Sequence, residues 1–156
     1  MSELRVPVVP VAAKALCADG RVFTGRIFLP ASAASHPGPT RPVEWMNGPA
    51  AYFPFQLEEG GAPVILNKHE VLWLSVPAPS FEAEIADLAG LITRYVQIEC
   101  GVHTLTGMLV IDMPEHHSRV LDHVNRPEPF LIIWEGERHH LVNKARITRI
   151  VDRREE

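Results

Sequence analysis

One phrase occurs twice in this chain, and the repetition limits the possible folds more than any other feature. The phrase is an apolar run, then Asn-Lys, then a second partly apolar run: VILNKHEVLWLSV at 64–76 and HLVNKARITRIVD at 140–152. Further features recur around it in the same order: a Thr-Gly pair, a strand stopped by proline, an acid-x-apolar-Asn-x-Pro segment, and an aromatic strand. Such ordered recurrence indicates a duplicated unit. A unit of about sixty residues is marginal alone, so the two copies are expected to pack together.

The pattern inside each copy predicts short β-strands separated by turns. Apolar and polar residues alternate only in part, which fits a curved sheet with one wet face. We predict an all-β protein of two tandem five-stranded small barrels, at 11–76 and 95–152, because closure removes exposed strand edges. Residues 77–94 are predicted to join them through a short amphipathic helix. The segment 118–125 is predicted to form one or two helical turns.

Composition and charge exclude several classes of protein. The chain is 46% hydrophobic and 22% charged, which is typical of a globular protein with a core. Its formal net charge of −4 argues against bulk electrostatic binding of nucleic acid. Cys17 and Cys100 are not in a CxxC pair, and we expect two buried, reduced thiols. The prolines near the start do not fit a secretory signal, and no apolar run reaches the roughly 20 residues of a membrane span. A cytoplasmic protein that does not enter membranes is expected.

The repeated segments resemble the Sm-like small-barrel superfamily, within the wider group of SH3-like barrels. Gly25 and Gly107 match the glycine of the first Sm motif. Met46-Asn47 and Val124-Asn125 match the end of that motif, and Glu44 and Asp122 stand one residue nearer the Asn than its acid does. The resemblance implies small barrels that associate through strand edges.

The Asn-Lys pairs depart from the Sm pattern. They stand where that superfamily has an Arg-Gly turn, which supplies part of its uridine pocket, so uridine-type RNA recognition is not implied. The phrase is more similar to a family of small bacterial barrel domains that share an x-Leu-Asn-Lys turn. No activity of that family carries over to this chain.

The repeated polar residues are the candidate ligand-binding positions. An Asn side chain offers both a donor and an acceptor, and Lys offers a mobile positive charge. Turn chemistry is the alternative, since Asn is suited to turns and to helix ends. These candidates are Asn47, Asn67, Lys68, Asn125, Asn143 and Lys144.

Catalytic and metal-binding patterns are not predicted. The sequence has no GxSxG, HExxH or phosphate-loop motif. His139 and His140 are adjacent on a predicted strand and would point to opposite faces, so they do not simply share a metal. The aromatic residues could stack on bases, but most lie in apolar strands and are expected in the core. We therefore predict no catalytic residue, no metal and no cofactor.

The sequence favours a non-catalytic interaction or scaffold module that self-assembles through strand edges and binds a protein partner. Three chains would form a pseudo-ring of six barrels. The alternative function is RNA binding of the Sm type, which the acidic net charge disfavours.

Overall fold

The fold is described from a computed structural model for residues 7–78, 92–111 and 119–153. The first half contains the strands β1 (Val8–Cys17), β2 (Val22–Pro30), β3 (Tyr52–Leu57), β4 (Val64–Asn67) and β5 (Val71–Pro77) and the short helix α1 (Pro42–Met46). The second half contains the strands β6 (Ile92–Cys100), β7 (His103–Ile111), β8 (Phe130–Glu135), β9 (Arg138–Asn143) and β10 (Arg149–Arg153) and the helix α2 (Val120–Val124). Single 3-10 turns at Lys68–Glu70 and Lys144–Arg146 follow β4 and β9.

The described strands form one open antiparallel sheet of ten strands, in the order β10-β6-β7-β8-β9-β5-β1-β2-β3-β4. The all-β prediction is confirmed. The hydrogen-bond ladder does not close into two separate barrels, because β9 of the second half pairs with β5 of the first. Each half nevertheless keeps the same internal order, with its fifth strand beside its first.

The core consists of two apolar clusters, one in each half. Each cluster also includes residues of the other half. The first cluster includes Phe53 and Phe55 together with Phe130 and Leu141 of the second half. The second cluster includes Leu72 of the first half. The expectation that aromatic strands belong to the core is confirmed for Phe53, Phe55 and Phe130, which are all buried.

The helical predictions have different outcomes. Helix α2 lies inside the predicted segment 118–125, and the first copy has the helix α1 at the matching place. Most of the predicted connecting helix at 77–94 lies outside the described residues. The described parts of that segment are extended, since β5 ends at Pro77 and β6 begins at Ile92.

The repeated glycine of each half is required where two strands approach closely. A Cβ at Gly25 would lie 1.8 Å from the carbonyl oxygen of Gln56, and a Cβ at Gly107 would lie 2.6 Å from that of Trp134. At these points β2 meets β3 and β7 meets β8 through ladders of only two residue pairs and one residue pair. The glycines let the sheet turn sharply in both halves.

Replacing Gly25 with alanine is therefore expected to destabilise the fold. The added methyl group must displace backbone, and overpacking of this kind costs about 1–3 kcal/mol. Thr24→Ala is the matched control, because Thr24 is the exposed neighbour on the same strand. Urea unfolding measures both variants. Equal stability of the two would show that the strands at Gly25 separate without cost.

Candidate assembly interface

The junction between the two halves is built on the ladder between β5 and β9, which we call the internal seam. Its antiparallel register runs from Trp73↔Val142 to Pro77↔Arg138. All residues of β9 except Arg138 are buried. The seam is therefore a strand-edge interface between the two halves of one chain.

Asn47 fastens α1 of the first half to β8 of the second. Its Oδ1 accepts a hydrogen bond from the backbone N–H of Phe130 at 2.7 Å. Its Nδ2 donates to the carbonyl of the same residue at 3.3 Å. The carboxamide thus acts as a strand partner for Phe130, whose ring is carried into the first apolar cluster.

Asn143 forms hydrogen bonds across the seam through the NH2 group of its side-chain amide. Nδ2 donates to the carbonyls of Lys68 and Val71, at 3.2 and 3.1 Å. Oδ1 accepts from the N–H of Ala145 at 3.1 Å and so caps the following 3-10 turn. Because Asn143 is buried, these bonds satisfy groups that water does not reach.

Arg146 joins the rim of the seam. Its Nε donates to the carbonyl of His69 at 2.8 Å, and its Nη2 lies 2.7 Å from Oε2 of Glu70. Both charged side chains are substantially exposed, so this ion pair orients the two side chains but contributes little to stability.

A polar chain also runs across the seam, and sequence reasoning missed it. Ser75 Oγ lies 2.6 Å from His140 Nδ1, and His140 Nε2 lies 2.8 Å from Oε1 of Glu135. The neutral tautomer with its proton on Nε2 fits both contacts, since Ser75 then donates to Nδ1 and Nε2 donates to the carboxylate. Ser75 and His140 face each other on β5 and β9 and are buried, so the chain satisfies polar groups within the seam. These contacts could have been found from the sequence only if the pairing of β5 with β9 had been predicted.

The two lysines of the repeated phrase hold helix ends. Lys68 Nζ donates to the carbonyls of Trp45 and Gly48, at 3.1 and 3.3 Å. Lys144 Nζ donates to those of Val124 and Arg126, at 3.0 and 2.6 Å. Burial lowers the pKa of both amines from the ordinary lysine value. Cations at the end of a helix complement its unpaired carbonyls.

The structure places the six candidate residues at three sites. Asn47, Asn143 and the carbonyl of Lys68 take part in the internal seam. Asn125 and Lys144 line a groove of about 600 Å³ between α2 and β10. Asn67 lies on β4, and its Oδ1 accepts from the N–H of His69. Their role as ligand contacts stays a prediction.

Two strands of the described sheet have one unpaired edge each. They are β4 at one end of the sheet and β10 at the other. Ile65 on β4 is 73% exposed, and Tyr52 on the neighbouring strand β3 is 59% exposed. Exposed edges with apolar side chains are sites where another strand can add.

Comparisons with known proteins identify no relative. No protein-family model matches the chain, and neither a curated protein nor a solved structure is significantly similar to it. Within the described ranges, no helix has the length and apolar character needed to cross a membrane. No group of three or more His, Cys, Asp or Glu side chains in the same ranges is arranged to hold a metal ion.

The seam amide provides a matched pair of variants. Asn143→Ala removes the cap of the 3-10 turn and two buried hydrogen bonds across the seam, so we expect a loss of about 2–3 kcal/mol. Asn67→Ala removes the same cap in the other copy without the seam bonds, so a loss of at most about 1 kcal/mol is expected. Chemical unfolding at concentrations where chains are dissociated compares them. Equal losses would mean that the bonds of Asn143 across the seam do not stabilise it.

His139 predicts a dependence of stability on pH. Burial, with a smaller contribution from the charge of His140, lowers the pKa of His139 to about 4. The unfolded chain takes up this proton near the ordinary value of about 6.5, so it binds more protons than the folded chain between these values. Stability should therefore fall as pH drops from about 6.5 to about 4, by up to about 3 kcal/mol.

His139→Phe is the control for this pH dependence, because a phenyl ring keeps the contact with Trp134 and cannot titrate. Unfolding curves of both proteins across this pH range give the contribution of His139 as their difference. A constant difference between the two proteins would contradict the prediction.

Proposed function

We propose that the chain is a non-catalytic, self-assembling interaction module of two Sm-like or SH3-like small barrels, and that its assembly binds a protein partner. The observation that carries the proposal is the internal seam. The chain already joins its two halves by pairing the edges of β5 and β9, and the equivalent edges of β10 and β4 are open at the two ends of the sheet.

The two halves support the barrel interpretation. They have the same strand order, each half contains its own apolar cluster, and each brings two strands close together at its repeated glycine. A half whose fifth strand lies beside its first has the arrangement that a small closed or nearly closed barrel needs.

The described roles of the repeated polar residues support a structural module. Asn47 and Asn143 bind backbone groups across the seam, and Lys68 and Lys144 bind carbonyls at helix ends. Hydrogen bonds join Ser75 to His140 and His140 to Glu135, and both Ser75 and His140 are buried within the sheet. These groups hold the fold and the junction together.

The two open edges differ, so chains would join head to tail. A head-to-tail interface forms a closed ring when the rotation between neighbours divides a full turn, and otherwise a filament. Three chains in a closed ring would give six barrels, which is the assembly expected from the sequence. Each added chain would cover two open edges that otherwise favour uncontrolled strand addition.

RNA binding of the Sm type is the second candidate. The groove between α2 and β10 has a basic rim that includes Arg94, Arg119 and Arg149. Two of these are already paired, Arg119 with Asp122 and Arg149 with Glu99. These ion pairs and the net charge of −4 support the scaffold function over RNA binding.

Light scattering on a size-exclusion column tests the proposal. We expect the wild-type chain to form a closed oligomer, a trimer in the simplest case, with no excess absorbance at 260 nm. Ile65→Glu should give a monomer with unchanged folding, because this exposed side chain lies on the edge strand β4. Val102→Glu is the control, since Val102 is 93% exposed but lies in the turn between β6 and β7. A wild-type monomer at high concentration would overturn self-assembly, and bound nucleic acid would favour the second candidate.

A further inference from the structure

We propose that the β3–β4 hairpin of one copy of this chain binds in the groove between α2 and β10 of a second copy, and that it repeats the contacts of the internal seam. This inference rests on the proposed self-assembly and specifies its partner surface, its register and its polar contacts.

The groove in the second half corresponds to a region of the first half that is already filled by other residues of the chain. Its apolar floor includes Val120, Val124, Ile147 and Ile150. In the first half, the corresponding region between α1 and β5 receives Phe130 and Leu141 from β8 and β9. The second apolar cluster has no such pair of residues from a following unit within the described chain.

The hairpin of the first half carries the two side chains that would complete the groove. Tyr52 pairs with Asn67 in the β3–β4 ladder, as Phe130 pairs with Asn143 in the β8–β9 ladder. Counting from these positions, Ile65 is the counterpart of Leu141. Phe130 and Leu141 are 4% and 1% exposed at the seam, whereas Tyr52 and Ile65 are 59% and 73% exposed. The same two positions are therefore buried in the second half of the chain and exposed to solvent in the first half.

The internal seam fixes the register of the proposed contact. The seam pairs Trp73 with Val142 and Leu74 with Leu141. Each of these residues has a counterpart in the other half of the chain. Replacing the residues by their counterparts gives the pairs Arg149 with Leu66, Ile150 with Ile65 and Val151 with Val64. Register matters because a slip by one residue would turn Ile65 away from the apolar floor.

The repeated amides stand ready for the same hydrogen bonds. Asn125 follows α2 as Asn47 follows α1, so its carboxamide would bond the N–H and C=O of Tyr52 in the hairpin of the other chain. Asn67 would donate to the carbonyls of Lys144 and Ile147, as Asn143 does to those of Lys68 and Val71. In the described part of the chain, the side-chain amides of Asn125 and Asn67 donate no hydrogen bond.

Charge also favours this pairing. Arg146 and Glu70 occupy equivalent positions, the last residue of each 3-10 turn, and they already pair at the internal seam. At the proposed contact Glu70 of one chain faces Arg146 of the next, so like charges do not meet there, and each side chain keeps its partner at the seam of its own chain. The hairpin turn with Glu58 and Glu59 would lie beside Arg153 at the end of β10.

Cysteine cross-linking tests the register. Ile65→Cys with Ile150→Cys places thiols on directly opposed residues of the proposed ladder, where cross-strand Cβ atoms are about 4.5–5.5 Å apart. Mild oxidation, or a short thiol cross-linker, should link the chains into dimers and larger species on a non-reducing gel. Ile65→Cys with Val151→Cys is the matched control, because the second thiol then points to the other face of the strand. Wild-type protein controls for Cys17 and Cys100, which are both buried.

The outcomes separate this inference from the proposed function. Efficient cross-linking of the first pair, at least several-fold above the second, supports the contact and its register. Equal cross-linking of both pairs, or none by either in a protein that light scattering shows to be oligomeric, overturns the contact and leaves self-assembly standing. A protein that is only monomeric overturns both. An oligomer that persists in Ile65→Glu would place the copies on another surface and would also contradict this contact.

Discussion

The backbone ladder between β5 and β9 is the interaction on which the rest of the structure depends. Each half of the chain ends its own sheet at an edge strand, and an unpaired edge exposes a row of N–H and C=O groups. Pairing one edge from each half satisfies both rows and makes a single sheet. It also lets Phe130 and Leu141 enter the core of the first half and Leu72 enter that of the second. The two cores are therefore completed by each other.

The seam shows how one residue type serves two purposes in a duplicated unit. In both copies the Asn of the Asn-Lys phrase caps a 3-10 turn through Oδ1. Among the described residues, only the Asn of the second half, Asn143, also reaches the other half through Nδ2. The cap needs one acceptor, and the amide leaves its two donors for an interface. A carboxylate at this position would cap the turn equally well but would have no proton to donate across the seam.

The sequence predicted the local structure because local structure follows from neighbouring residues. Repeated motifs and strand patterns indicated the duplication and the β class, and the acid-x-apolar-Asn-x-Pro segment marked the short helices. The merging of the two sheets could not be predicted in this way. It depends on which edge strand meets which, and the strand propensity of each edge alone does not decide this. The contact of Ser75 with His140 was missed for the same reason, since these residues become neighbours only through that pairing. The bonds of Lys68 and Lys144 to carbonyls of their own half could not be predicted either, because they depend on where each short helix ends relative to the 3-10 turn.

The close approach at Gly25 and Gly107 also bears on stoichiometry. In the proposed assembly, the direction in which the strands cross at these glycines would set the rotation from one unit to the next. In a head-to-tail assembly the number of copies in a closed ring is a full turn divided by that rotation. Two glycines inside the fold would thus help to decide the number of chains in the proposed assembly. Evolution of ring size in such a protein would proceed through the curvature of its strands as readily as through its contact surfaces.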